Sequence, residues 1–201
     1  MLKDMPPISP VHFFTVELPL KKRKTMQTLP DLCDITGEVC FAEAQMRFDE
    51  TGIELVFSVN AKVKDVHYPA VERGDGIELF IDTRNVKTSK TFTTFCHHFV
   101  FLPEPIDEMQ GIEKTKFRGN ESRPLADPEM LHPTVTQSNA GYEMTIHLTK
   151  EVLYGYRLDK KTKIGFAYRI HRAGGQPQHF GMPDAGIEKD PSLWPTLLLQ
   201  G

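Results

Sequence analysis

Apolar residues recur at every second position over much of this chain. Between Gly52 and Asn60, Ile53, Leu55, Phe57 and Val59 fall on one face. Tyr142, Met144, Ile146 and Leu148 alternate with Glu143, Thr145 and His147, and the stretch from Lys163 to His171 alternates through Ile164, Phe166, Tyr168 and Ile170. Period two is the repeat of a β-strand, with one face packed and the other turned to water or a ligand. Glu38 to Phe48 follows a glycine and is separated from Gly52 to Asn60 by Asp49-Glu50-Thr51-Gly52, so the two stretches read as a hairpin. Asp75 to Thr83 leaves a Gly74-Asp75-Gly76 turn with Ile77, Leu79 and Ile81 on one face, and Phe92 to Leu102 carries Phe95, Phe99 and Phe101. Val11 to Leu18 and Trp194 to Leu199 read as strands too, the second docked at the end of a sheet. Helix signal is thin: Thr149 to Tyr154 fits one helical turn with Thr149 as N-cap. Pro103 to Pro133 and Ala173 to Pro191 read as long excursions, the first either functional or carrying short extra strands. The pattern predicts an all-β fold, a single antiparallel β-sandwich of the jelly-roll or immunoglobulin-like kind over residues 1–201.

At 201 residues the chain can bury a substantial core. A net charge of -3 gives no pull toward nucleic acid or an anionic membrane, and neither is expected as a partner. Lys21-Lys22-Arg23-Lys24 reads as a solvated loop. Three cysteines, Cys33, Cys40 and Cys96, make no disulfide framework and fit a reducing compartment, although Cys33 and Cys40 are near enough in sequence to pair. The first residues lack an apolar core of signal-peptide length, and no stretch approaches the roughly 18 apolar residues of a spanning helix. A cytoplasmic location is expected, or a secreted one if the chain has been trimmed.

Enzymatic chemistry is not signalled. The chain has no nucleophile elbow, phosphate-binding glycine loop or HExxH-like or CxxC-like metal spacing. Asp75 and Glu78 do not make a glycosidase pair, because nothing places a second carboxylate across a cleft. Asp75 and Asp82 offer oxygen ligands at strand ends for calcium. At standard strand rise they stand about 23 Å apart, so any such sites are separate, and turn capping is the simpler role. His97 and His98 are consecutive in a strand, so one packs and the other shares the ligand-facing side. His171 and His179 bracket a glycine-rich loop and are expected to be solvated. Gln176, Gln178 and Phe180 lie in that loop, where a sandwich can gather part of a site.

Several motifs in order resemble those of family 9 carbohydrate-binding modules and their relatives in the DOMON-like superfamily. They are Val59-Asn60 with the polar segment through Lys64-Asp65, the acidic run Asp75 to Asp82, and the aromatic strand Phe95 to Phe101. Tyr142 to Leu148 with Leu153-Tyr154-Gly155, Ile164-Gly165-Phe166 and Pro191 to Leu199 with Trp194 complete the series, which spans residues 38–200. The resemblance implies a β-sandwich and non-catalytic saccharide binding, often with structural calcium. It places Glu78 at an acidic position that accepts hydrogen bonds from sugar hydroxyls. Sugar-binding members clamp a terminal sugar between two tryptophans, one just before the acidic strand. Here that neighbourhood is Tyr68-Pro69-Ala70-Val71-Glu72-Arg73, with Tyr68 its only aromatic. Glu78, His98, Tyr68, Arg73, Gln178, Phe180 and Trp194 form the expected ligand-binding set, although the closing position of Trp194 also fits a structural role. Haem held by Met, His or Lys side chains, as in some DOMON-like relatives, and an interaction domain for a protein partner that has lost the sugar site are the alternatives.

Overall fold

The computed structural model describes residues 17–22, 24–181, 183 and 186–201, without the side chain of Ile35. Among these residues, twelve strands form two sheets: β1 (Glu17–Lys21), β2 (Gln27–Thr28), β3 (Ala42–Asp49), β4 (Gly52–Val59), β5 (Gly76–Asp82), β6 (Cys96–Ile106), β7 (Met109–Glu113), β8 (Thr134–Gln137), β9 (Tyr142–Thr149), β10 (Thr162–His171), β11 (Gln178–Phe180) and β12 (Thr196–Gln200). The larger sheet has the order β1-β12-β10-β5-β6-β7, with β11 also on β10, and the smaller has the order β2-β3-β4-β9-β8. Among the described residues one α-helical turn, α1, covers Cys33–Thr36.

The predicted sandwich forms because each alternating stretch offers one apolar face. Phe57, Val59, Met144, Ile146 and Leu148 from the smaller sheet join Ile77, Leu79, Ile81, Phe99, Phe101, Phe166 and Tyr168 from the larger in one core. The hairpin β3–β4 closes with Asp49 opposite Gly52. Gly52 has φ 152°, and a Cβ there would meet the Leu148 carbonyl oxygen at 2.1 Å, so only glycine lets this turn pack against β9.

Three expectations change, and the excursion expected to carry short extra strands does carry them. The sheets are antiparallel except at one edge, where β1 runs parallel to β12; of the stretch Val11 to Leu18, residues 11–16 lie outside the described residues. The aromatic strand begins at Cys96 rather than Phe92, because a turn closes from Cys96 N–H to the Thr93 carbonyl at 3.0 Å. It then runs on into the expected excursion. Asp107 and Glu108, with φ 49° and 67°, form a two-residue turn that folds β7 back onto β6. Pairing is irregular between Phe101 and Ile106, where Pro103 and Pro105 have no N–H to give. Finally, the helical turn lies at Cys33–Thr36, closed by Gly37 in the left-handed conformation, whereas after Thr149 the chain makes only a turn, with Leu153 N–H on the Thr149 carbonyl at 3.1 Å.

The topology of one strand edge positions the site. Strand β10 pairs with β12 over Thr162 to Gly165 and with β11 over Tyr168 to Ile170. The chain between Phe180 and Thr196 must therefore leave that edge and return to it. Part of it crosses the outer face of the sheet, where Ile187 and Trp194 pack with Phe80, Ala167, Cys96 and Phe92.

Candidate functional site

Outward-facing positions on β5, β6 and β10 should be polar if that face met only water. Instead they bury a charge cluster between two apolar patches. Register places Glu78 opposite Arg169 on one side and Val100 on the other, with Phe80 opposite His98. The Glu78 side chain is 2% exposed. Its Oε1 accepts from His98 Nε2 at 2.9 Å and lies 2.9 Å from Lys114 Nζ. Its Oε2 accepts from Arg169 Nε at 2.7 Å and Nη2 at 2.6 Å, and from His171 Nε2 at 2.8 Å. Lys114 and Arg169 remain 26% and 17% exposed, so the cationic rim reaches solvent while the carboxylate does not. Arg169 also approaches Glu188 at 3.7 Å.

Burial alone would raise the Glu78 pKa. Hydrogen bonds from His171 and His98, with the charge of Arg169, overcome it and hold the carboxyl far below the usual range. The opposite balance holds at His98, where burial pushes the imidazole pKa down against the pull of Glu78. The ionised carboxylate thus accepts a hydrogen bond from Nε2–H of His98, whose ring lies 4.3 Å from that of Phe80.

Tyr68 borders this face. Tyr68, joined to Pro69 by a cis peptide, packs with Val66, Val71, Val100, Leu102 and Ile106, and Val100 is the cross-strand neighbour of Glu78. Arg73 is exposed on the short turn Val71–Arg73.

Three expected ligand-binding residues are placed elsewhere. Gln178 is buried, with its Oε1 accepting from Phe41 N–H at 2.8 Å and Ala42 N–H at 2.9 Å and its Nε2 donating to the Ala42 carbonyl at 2.9 Å. It ties the start of β3 to β11. Gln178→Leu orphans those two N–H groups, and a loss of about 1–3 kcal/mol is expected, read as a lower urea midpoint at unchanged slope. Phe180 is fully buried and stacks on Tyr168 at 5.4 Å, because β11 turns it into the core. Trp194 is fully buried beneath its own loop and donates Nε1–H to the Ile187 carbonyl at 2.8 Å. The expected solvated histidines are likewise buried: His171 on Glu78, and His179 with Nδ1 2.5 Å from Glu38 Oε1.

The carboxylates of Asp75 and Asp82 are occupied by main-chain donors. Asp75 accepts from the N–H groups of Lys64, Asp65 and Ala173, and Asp82 from those of Arg84 and Val86. Oxygens facing N–H groups do not fit calcium, so both aspartates hold loops. Among the side chains that could hold haem, Met46 and Met144 lie in the core, and His97, His98 and His171 are engaged with carboxylates.

A second buried cluster escaped the sequence reading. Glu113 Oε1 accepts from Thr115 at 2.7 Å and from Arg123 Nη2 at 2.5 Å, and Oε2 accepts from Arg123 Nη1 at 3.0 Å and Ala126 N–H at 2.7 Å. His97 Nε2 lies 3.3 Å from the Tyr154 carbonyl oxygen, and its Nδ1 lies 3.0 Å from Glu113 Oε1 and 2.7 Å from Arg123 Nη2. Burial opposes the charge on Glu113, yet the bonds from His97 and Arg123 bring its pKa down to about 2. This hub anchors the loop after β7. Glu113, Thr115 and Arg123 come from a stretch with no periodicity, so spacing gave no signal for them. Arg169 and His171 were visible as the outward positions of an alternating strand; only their pairing with Glu78 was not.

No protein-family model and no curated protein matches this chain. Solved structures do. A carbohydrate-binding module of family 9 from Caldicellulosiruptor kristjanssonii, in complex with cellotriose, superposes with a TM-score of 0.66 at 12% identity, covering 92% of this chain and 94% of that one. The family 9 module from the same organism in complex with glucose gives 0.64 at 12% identity, over 91% and 96%. A structure from Bacteroides uniformis gives 0.55 at 13% identity, over 92% and 100%. With its two sheets in this order and its acidic strand at the centre of the larger one, the chain has the β-sandwich fold of the family 9 carbohydrate-binding modules.

Proposed function

We propose that this protein is a non-catalytic saccharide-binding module, and that its ligand lies on the outer face of the larger sheet over Arg169 and Lys114. The observation that carries the reading is the charge cluster around Glu78. A sheet face covered by loops packs at least as well with apolar residues, and desolvating several charges is costly. A structural demand alone does not call for it. Glu78 holds the Arg169 and Lys114 side chains in place, and their partly exposed N–H groups donate to sugar hydroxyls. Tyr68 offers an aromatic surface at one border. The shared fold with modules bound to cellotriose and glucose supports the same class of ligand.

Catalysis is disfavoured by the chemistry of the carboxylate. Glu78 receives donors on both oxygens and is ionised at neutral pH, so it has neither a proton to give nor a free lone pair to act as base.

Isothermal titration with glucose and cellotriose tests the proposal. Binding heat is expected for the wild type, at least tenfold weaker binding for Tyr68→Ala, and no heat for Arg169→Ala. Folding of each variant is checked by circular dichroism. No heat with any of several simple sugars at millimolar concentration overturns it. Saturation of Glu78 by its own chain specifically favours a second reading, a sandwich that keeps the cluster as a fixed support for a protein partner. A pull-down in which Arg169→Ala loses a stable partner supports that reading.

A further inference from the structure

Away from the charge cluster, the segment leading into β3 gathers two thiols and a carboxylate. Asp31, Cys33 and Cys40 each offer one ligand atom, and these atoms all lie within 4.8 Å of one another. They are the one such group of three or more among the described residues. All three are carried by one ten-residue stretch whose backbone is already shaped. Asp31 Oδ1 accepts Cys33 N–H at 3.2 Å, α1 makes a single turn, and Gly37 ends it with N–H on the Cys33 carbonyl at 2.8 Å. Cys40 then sits immediately before the two N–H groups that Gln178 clamps. Cys33 is buried, while Cys40 and Asp31 are exposed and line an open cavity of about 370 Å³ with Phe41 and Tyr168.

We propose that Asp31, Cys33 and Cys40 bind a thiophilic divalent cation, zinc in chemical class, with water from the cavity completing a tetrahedral set. Zinc–sulfur bonds of about 2.3 Å at tetrahedral angles put the two sulfurs about 3.8 Å apart, so the segment must contract by about an ångström at most. Thiolates disfavour calcium and magnesium, which take oxygen ligands, and suit a thiophilic ion of the zinc class. Both thiols lose their protons to solution on binding, so uptake releases acid and affinity falls as pH drops. A cation here joins α1 to the first residue before β3, pinning a stretch that otherwise lacks sheet pairing. The site is independent of the saccharide face, and neither reading depends on the other.

Cobalt(II), a coloured stand-in for zinc, is the probe. Titrated anaerobically into the reduced protein, it is expected to give thiolate-to-cobalt charge-transfer absorption that saturates at one equivalent and is bleached by zinc. Cys40→Ser, at an exposed position, is expected to lose the band while keeping the wild-type circular dichroism. Asp31→Asn is expected to keep the band with at least tenfold weaker binding. Thermal melting should shift upward with zinc in the wild type and not in Cys40→Ser. A folded, reduced wild type that gives no charge-transfer band overturns the proposal, and so does a Cys33–Cys40 disulfide whose reduced form takes up no cobalt. A band unchanged in Cys40→Ser also overturns it.

Discussion

Glu78→Gln is expected to destabilise the protein by about 3–5 kcal/mol at pH 7, the usual loss when one partner is removed from a buried ion pair. The substitution is close to isosteric, so no cavity contributes. What changes is that two permanent cations and two imidazole N–H groups now face a neutral amide, one end of which is itself a donor. Urea denaturation measures it. The pH dependence gives an independent check. Glu78 has a folded pKa far below its unfolded value, so its stabilisation is complete above the unfolded value of about 4.3 and is lost as pH falls from there toward the folded one. His98, whose pKa burial pushes down, also binds its proton less readily when folded. Its contribution is therefore present above about 6.5 and lost below. Wild-type stability should fall continuously from near neutrality into acid. In Glu78→Gln the fall below about pH 4.3 should be shallower, leaving the part due to Glu113, whose folded pKa is about 2. Parallel pH profiles for the two proteins would show that the cluster is not electrostatically coupled to folding.

Trp194→Ala should cost a similar amount, about 3–5 kcal/mol, as expected for truncating a fully buried large aromatic. The indole packs 5.7 Å from Phe80 and 5.4 Å from Phe92, and its N–H satisfies the Ile187 carbonyl. Lys87 also bonds to the Trp194 carbonyl oxygen. Removing the ring releases the loop that covers Phe80 and Ala167, leaving apolar sheet surface open to water. Trp194→Phe restores most of the packing without the N–H donor, so an intermediate loss of about 1–2 kcal/mol is expected. Chemical denaturation followed by circular dichroism suits both variants, since the chain has no other tryptophan. The phenylalanine variant also separates a structural role from a ligand role. Sugar binding should survive in Trp194→Phe and vanish in Arg169→Ala; the reverse would return Trp194 to the ligand site.

These two residues show where sequence reading succeeds and where it stops. The period-two runs at Gly52 to Asn60, Tyr142 to Leu148 and Lys163 to His171 identified strands and their core faces, because alternation is imposed locally by the pleat. The same alternation put Glu78 and Phe80 on the face away from the core. It could not say what covers that face. Trp194 reaches Phe80 only because β11 and β12 share one edge of β10 and the chain between them must cross the sheet. Likewise the partners of Glu78 lie 20 to 93 residues away along the chain, and Lys114 sits in a stretch without periodicity.

Taken by itself, the sequence determined the all-β class, most strand positions, the hairpin at Asp49 to Gly52, and the acidic strand as the centre of interest. Each follows from a pattern that neighbouring residues set among themselves. Only the tertiary structure decided that Glu78 is a buried ionic centre, that Gln178, Phe180 and Trp194 are structural, that Asp75 and Asp82 hold loops, and that Asp31, Cys33 and Cys40 converge. Those outcomes depend on strand register and on loop paths across a sheet. Both are fixed by burying a shared core, a condition that no local stretch of sequence contains.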